Sequence, residues 1–353
     1  MNARDWAGRP VLVTGHTGFK GSWLCWWLTQ LGARVAGIAL APATRPSLFE
    51  SSGLAGEITS TIGDIRDGAA VDAAFREHKP EVVFHLAAQS LVREGYRAPM
   101  ETLETNVIGT AHCLEAARRC PSVRAMVVVT SDKCYDQRGA VRAFREEDPL
   151  GGHDPYSASK ACAELVTQAY ARSFFEAGHT LVATARAGNV IGGGDWAADR
   201  LVPDAVRAFS AGRPLPVRNP GALRPWQHVL EPLRGYLTLA ERLLGGDKAA
   251  AAPWNFGPAD ADSRPVSWLV GELARRWGDS ARWQKDGTEH PHEAAALKLD
   301  SSKAERDLGW RPILRLEHGL DWVAEWYQAA QRGGSAKALT LQQVERYRAL
   351  CAA

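Results

Sequence analysis

The chain predicts an α/β fold, a doubly wound parallel sheet joined to a smaller α/β subdomain, and three observations carry that prediction. Short runs rich in Val and Ile recur at residues 11–14, 34–40, 58–63, 82–87, 125–130 and 181–187. Longer stretches with helical patterning separate them, a rhythm that implies right-handed crossovers into a sheet covered on both faces. Beyond residue 188 the rhythm gives way to Gly, Pro and Trp clusters at 192–196, 212–225 and 253–258, which punctuate loops that build pockets. Helical patterning returns at 231–244, 266–277 and 319–331. No repeat of 20 to 50 residues is visible, which excludes solenoids and propellers.

The bulk numbers fit this class. With 353 residues, 45% hydrophobic and 23% charged, the chain can bury a large core and is not disordered. A net charge of +2 supplies no bulk field to hold nucleic acid or an anionic membrane. The longest apolar run, 35–42, is far shorter than the ~20 residues of a membrane span. The first ten residues carry no charged-then-apolar leader, and six cysteines occur without a Cys-x-x-Cys pair, so a reduced, cytoplasmic chain is expected.

Taken in order, the first strand ends in Val13-Thr14-Gly15-His16-Thr17-Gly18-Phe19-Lys20-Gly21, and an apolar helix over 22–31 follows. Glycines placed between the first strand and the first helix allow a tight turn. They also let backbone N–H groups approach a pyrophosphate at the positive end of the helix. A plain turn is the competing reading. The second strand runs out in Ala39-Leu40-Ala41-Pro42, with Arg45 just beyond and no acid to hold an adenosine ribose, so residue chemistry leaves NAD and NADP both open. After the third strand, Asp64 and Ile65 are placed to meet an adenine, unless Asp64 merely caps the next helix.

The densest chemistry lies at Tyr156-Ser157-Ala158-Ser159-Lys160, with Thr130-Ser131-Asp132-Lys133 upstream. On a helix Tyr156 and Lys160 share a face, and the ammonium is expected to pull the phenol's pKa from about 10 toward neutrality. Ser131 ends the fifth strand, at the carboxyl edge where open α/β sheets bind ligands. His290, His292 and Glu293 look like a metal site, but the intervening Pro291 and the lack of further ligands lead to an assignment of no metal.

The glycine loop, Leu86-Ala87-Ala88-Gln89, Ser131, and Tyr156 with Lys160 resemble the extended short-chain dehydrogenase/reductases that act on nucleotide sugars. The resemblance covers nearly the whole chain. Four blocks, at 15–24, 131–136, 189–196 and 224–230, are similar to the branch that dehydrates CDP-linked hexoses across C4 to C6. The cytidine rests on that resemblance alone.

The resemblance implies a Rossmann-type dinucleotide-binding unit at 1–188 and 227–250. A nucleotide-sugar-binding subdomain would occupy 189–226 and 251–335, with a helical tail at 336–353. It also implies NAD as cofactor, held by Gly15, Thr17, Gly18, Phe19, Lys20, Gly21, Asp64, Ile65, Leu86, Ala87, Ala88, Asn106, Tyr156 and Lys160. A CDP-sugar would be held by Gln89, Asn189, Arg200, Leu201, Val217, Arg218 and Arg224, and the expected assembly is a homodimer, with no nucleic-acid or membrane partner. Ser131, Asp132, Lys133, Tyr156 and Lys160 would be catalytic. Asp132 would be the acid for the departing 6-hydroxyl, protonated by burial against a reference pKa near 3.9.

Lys133 stands where related dehydratases carry glutamate. With a reference pKa of about 10.4 it must be desolvated to serve as the base at C5, or else act as a fixed cation. Three other readings stay open at this point: a UDP-N-acetylhexosamine dehydratase, a nucleotide-sugar 4-epimerase, and a dinucleotide-sensing regulatory protein.

Overall fold

The computed structural model describes residues 5–137, 142–176, 178–288 and 297–352. Six strands appear where the apolar runs predict them: β1 (Pro10–Thr14), β2 (Arg34–Ala39), β3 (Thr59–Ile62), β4 (Val82–His85), β5 (Ala125–Val129) and β6 (Leu181–Ala187). With a seventh strand, Pro253–Phe256, they form one parallel sheet in the order Pro253–Phe256, β6, β5, β4, β1, β2, β3. The chain order reverses between β1 and β4, the crevice at which doubly wound sheets hold dinucleotides. Every residue of β5 and β6 is buried, as expected for central parallel strands with helices on both faces.

The seventh strand corrects the predicted boundary at 250. Pro253 pairs with Thr184 and Phe256 with Ala187, so the main sheet runs on through residue 256. The run is short and starts on proline inside a Gly, Pro and Trp cluster, which hides a strand; as the first residue, Pro253 does not interrupt the ladder.

The first helix, α1 (Phe19–Gln30), starts three residues before the predicted 22 and carries Trp23, Trp26 and Trp27, all at most 1% exposed. It is apolar all round because it is covered twice, by the sheet and by the C-terminal helix Ala336–Ala352, whose Tyr347 meets Trp27 edge-on at 5.7 Å. The tryptophans of this helix are therefore core. Predicted helices at 100–119 and 156–177 are seen as Pro99–Arg119 and Pro155–Phe175, each with one π-helical turn, at Glu104–Ile108 and Ala171–Phe175.

Beyond β6, three small two-stranded pairings organise the second region. Val190–Ile191 pairs with Gln227–His228, Leu215–Val217 with Trp283–Lys285, and Leu223–Pro225 runs antiparallel to Ser263–Pro265. Among the described residues no helix is long and apolar enough to cross a membrane, and all six cysteines are free thiols.

Candidate active site

At the end of β1 the chain turns back at Gly15, whose φ of +78° disfavours a side chain. A Cβ there would lie 2.7 Å from Ala87 N, and one on Gly21 would lie 2.1 Å from Gly15 O. The loop is thus pressed against the end of β4 and against its own helix. Gly18 caps α1 without a side-chain hydrogen bond, leaving first-turn N–H groups for an anion. Thr17 donates to Leu40 O at 2.8 Å, which ties the loop to β2.

Lys20 points inward, donating to Tyr236 Oη at 2.9 Å. Burial lowers its pKa to about 7, with Lys160 and Arg200 acting in the same direction. Phe19 and Leu86 pack against the core, and Ala87 N donates to Thr14 Oγ1 at 3.1 Å; Ala88 follows in the loop after β4.

Asp64 and Ile65 lie beyond β3, at the far end of this crevice. Asp64 does not cap the next helix. Asp67 does, accepting from Ala69 N and Ala70 N, while Asp64 is gripped by Arg66 through Nε at 2.8 Å and the backbone N–H at 2.9 Å. Those hydrogen bonds from Arg66 hold the Asp64 carboxyl below its ordinary value.

The catalytic candidates meet at the carboxyl end of β5. Ser131 caps a single helical turn, Asp132–Cys134, accepting from Lys133 N at 3.2 Å and donating to Asp132 Oδ1 at 3.0 Å. Asp132 is 1% exposed, and its Oδ2 is buried without a hydrogen-bond partner. Lys133 Nζ stands 3.5 Å from Asp132 Oδ1, half-buried at the same rim.

Tyr156 occupies the first turn of the helix Pro155–Tyr170, which Asp154 caps by accepting from Ser157 N at 2.9 Å. Here one expectation fails. Burial pushes the Tyr156 phenol up to about 12, opposed by a hydrogen bond to Ser131, and Lys160 is not what sets it. The Lys160 ammonium rests instead on Val129 O at 3.3 Å, and burial lowers its own pKa to about 8. In a low-dielectric site without an added positive charge, desolvation of the phenolate outweighs a cation held to one side.

Gln89 and Asn106 are committed to each other. Gln89 N donates to Asn106 Oδ1 at 2.9 Å, Asn106 Nδ2 donates to Gln89 O at 2.9 Å and Ser159 Oγ at 2.8 Å, and Gln89 Nε2 reaches Thr102 Oγ1 at 2.8 Å. Asn106 sits in the π-helical turn Glu104–Ile108 and so binds the loop after β4 to the tyrosine helix.

In the second region Arg200 spans Asp195 (3.0 Å) and Ser90 Oγ (2.8 Å), within electrostatic reach of Tyr156. Leu201 begins the next helix, Leu201–Ser210. Asn189 presents a buried Oδ1 with no partner, Val217 is 1% exposed, and Arg224 is 6% exposed. Arg218 turns to Asp199, 3.4 Å away, sharing it with Arg93. The histidines and glutamate at 290–293 lie outside the described residues.

Two buried groups escape the motif reading. Glu164 and Arg186 form an ion pair at 2.7 Å, both fully buried, directly behind the Ser131 turn. Glu164 lies four residues after Lys160 and Arg186 is a lone charge in an otherwise apolar strand; together they are the signal that marks the pair.

The residues fit a dinucleotide. Glycines leave no room for side chains where backbone must approach a ligand, α1 offers uncapped N–H groups, and two inward lysines stand with lowered pKa values where an anion would restore them. These features define an extended short-chain dehydrogenase/reductase. The chain belongs to the GDP-mannose 4,6 dehydratase family, whose sequence profile matches residues 12–322.

It is 49% identical over 347 residues to the CDP-glucose 4,6-dehydratase of Salmonella typhimurium strain LT2, covering 97% of each chain. Among solved structures it is similar to DesIV, the dTDP-glucose 4,6-dehydratase of Streptomyces venezuelae with NAD and TYD bound (TM-score 0.78, 27% identity, 92% of this chain and 98% of that one). The fold is also shared with the epimerase Mth375 of Methanothermobacter thermautotrophicus (TM-score 0.81, 24% identity, 94% and 95% covered).

A pH test follows from the two lysines. Their folded pKa values, about 7 and about 8, lie below the ordinary 10.5. The folded state therefore binds fewer protons than the unfolded chain between those limits, and stability rises with pH across that window. Below pH 7 the whole penalty is present. Lys20→Met removes the Lys20 share, so the ligand-free variant should exceed the wild type in stability most at about pH 7, with the gap narrowing toward pH 10. Urea titrations of both proteins across that range measure it; a gap that widens contradicts the assignment.

Proposed function

We propose that the chain is a hydro-lyase that converts CDP-glucose to CDP-4-keto-6-deoxyglucose and water, with NAD retained through the cycle. The observation that carries this reading is the Asp132–Lys133 turn. A buried carboxyl oxygen with no protein partner and the Lys133 amino group on the same rim lie beside Ser131 and Tyr156. An epimerase needs only the last two. The cytidine is supported by the 49% identical relative.

The glycine loop and the N-terminal end of α1 bind the pyrophosphate of NAD, Asp64 and Ile65 border its adenine, and Lys160 borders its nicotinamide ribose. NAD, when bound, would supply a hydride acceptor for C4 and a hydride donor for C6. Tyr156 Oη takes the proton of the 4-hydroxyl, with Ser131 Oγ sharing that oxygen. The 4-ketone then acidifies C5–H. Lys133 Nζ removes the C5 proton, and Asp132 gives a proton to the leaving 6-hydroxyl, so water departs and no net oxidant is consumed. Arg200 and Arg224 hold the diphosphate, and Asn189 and Gln89 border the sugar.

For Tyr156 to act near neutral pH its phenol must fall from about 12. The first turn of its helix and a positively charged oxidised nicotinamide would act in that direction, beyond the Ser131 hydrogen bond that already opposes burial.

The same proposal includes a cytoplasmic homodimer. Met100, Ile108, Leu165 and Phe174 are 50–65% exposed on the two helices Pro99–Arg119 and Pro155–Phe175, a distribution suited to pairing with a second copy.

Incubation of the purified protein with CDP-, UDP-, dTDP- and GDP-glucose, followed by mass spectrometry, tests the function. Loss of water from the cytidine sugar is expected, and turnover of only another nucleotide sugar overturns it. Lys133→Arg keeps the charge but removes the base, so exchange of the C5 hydrogen with deuterated solvent should fall at least about 100-fold. Exchange near the wild-type rate reduces Lys133 to a fixed cation.

A further inference from the structure

In a site selective for NAD, the strand that leads to the adenosine ribose ordinarily ends in a carboxylate, which accepts from the 2′-hydroxyl and repels a phosphate in its place. Here β2 ends at Ala39, and the next residue is Leu40, whose side chain is 54% exposed. Ala39 pairs with Ile62, the last residue of β3, which is 59% exposed. Two large aliphatic side chains therefore stand bare at neighbouring strand ends, and neither can read a ribose hydroxyl.

The backbone ties these strand ends to the glycine loop. Leu40 O accepts from Thr17 Oγ1 at 2.8 Å. The chain then leaves as a loop over 41–46 and returns at Ser47, which caps the short helix Leu48–Ser51. Phe49 of that helix meets the His16 ring edge-on at 5.4 Å. Both ends of the 41–46 loop are thus pinned to the glycine loop, and Arg45 rides between them, exposed. Its guanidinium has no hydrogen bond or ion pair among the described residues.

The carboxylates closest in sequence to the two strand ends are engaged. Asp64 is neutralised by Arg66 at 2.6 Å, and Glu50 Oε2 is drawn into the Ser47 cap, accepting from Ser47 Oγ at 3.1 Å. What remains open beside the adenosine end of the crevice is a cation.

We propose that the site accepts a 2′-phosphorylated dinucleotide, NADP, as well as NAD, with Arg45 as the ligand of the 2′-phosphate. This rests on the dinucleotide reading above and extends it to a second cofactor. A guanidinium fork matches phosphate oxygens two at a time, and with leucine at position 40 no carboxylate there opposes the phosphate. The cycle is indifferent to the choice, because the hydride that leaves C4 returns at C6 and neither dinucleotide is consumed.

The test is calorimetric titration of the full-length protein, stripped of bound dinucleotide with charcoal, against NAD and against NADP. In the wild type NADP should bind within about tenfold of NAD, and its affinity should fall more steeply with added salt, which screens an exposed ion pair. Arg45→Gln should weaken NADP by about fivefold or more and leave NAD within about twofold. Leu40→Asp, which supplies the missing acid, should weaken NADP by about tenfold or more without weakening NAD. Wild-type NADP affinity more than about tenfold below that of NAD overturns the proposal. So does an Arg45→Gln variant that binds NADP as the wild type does, or that loses NAD and NADP equally, the mark of an arginine that only shapes its loop. Failure of the dinucleotide reading is separately visible, because the wild-type protein would then bind neither.

Discussion

Asp132→Asn should lower kcat for CDP-glucose dehydration by about 10²- to 10⁴-fold, the usual contribution of a positioned general acid, while the protein folds as before. Asn is close in size to Asp, and its Oδ1 can keep the hydrogen bond that Asp132 Oδ1 accepts from Ser131 at 3.0 Å. Its amide nitrogen then falls where Asp132 Oδ2 now sits without a partner, so no existing hydrogen bond is broken. On the proposed mechanism, what is lost is the group that gives a proton to the departing 6-hydroxyl.

The steps before elimination do not use that proton. In deuterated solvent the variant should therefore still exchange the C5 hydrogen of CDP-glucose while releasing little water. Mass spectrometry of recovered substrate and product separates the two. If exchange and dehydration fall together, Asp132 serves the geometry of the turn rather than the leaving group.

That experiment turns on residues legible in the sequence, because the signals there are local. A glycine loop between a strand and a helix, and a Tyr and Lys four apart on a helix, are short-range patterns whose chemistry follows from spacing. β1 to β6 were legible for a related reason: buried parallel strands are continuous Val and Ile runs. Pro253–Phe256 was not, because four residues opening on proline carry no periodicity, and only pairing with Thr184 to Ala187 makes them a strand.

The Tyr156 phenol was misjudged on the same principle. Spacing puts Lys160 on its face, but whether the ammonium or desolvation sets the pKa depends on where Nζ rests, and Val129 O is a tertiary contact. The pairing of Arg224 with Arg264 was not legible for a third reason. Residues 224 and 264 become neighbours only through an antiparallel pairing of two three-residue strands, too short to leave a pattern.

The largest stability effect should come from Arg186→Leu, expected to destabilise the protein by about 3–5 kcal/mol in urea unfolding. Glu164 and Arg186 are both 0% exposed. Glu164 Oε2 also accepts from Thr184 Oγ1 at 2.8 Å and Oε1 from Thr130 Oγ1, while Arg186 Nη1 donates to Tyr135 Oη at 2.7 Å and its guanidinium covers the Tyr135 ring at 4.9 Å. Removing the cation strands a buried carboxylate in a low-dielectric core.

Adding Glu164→Gln removes that stranded charge, so the double variant should recover a large part of the loss, as expected where desolvation rather than attraction dominates a buried pair. Activity should not recover with it. Thr130 precedes Ser131 and Tyr135 follows Cys134, so the pair grips both ends of the turn that carries Asp132 and Lys133. A double variant as stable as the wild type yet slow in C5 exchange assigns the pair to positioning that turn. Full recovery of both assigns it to stability alone.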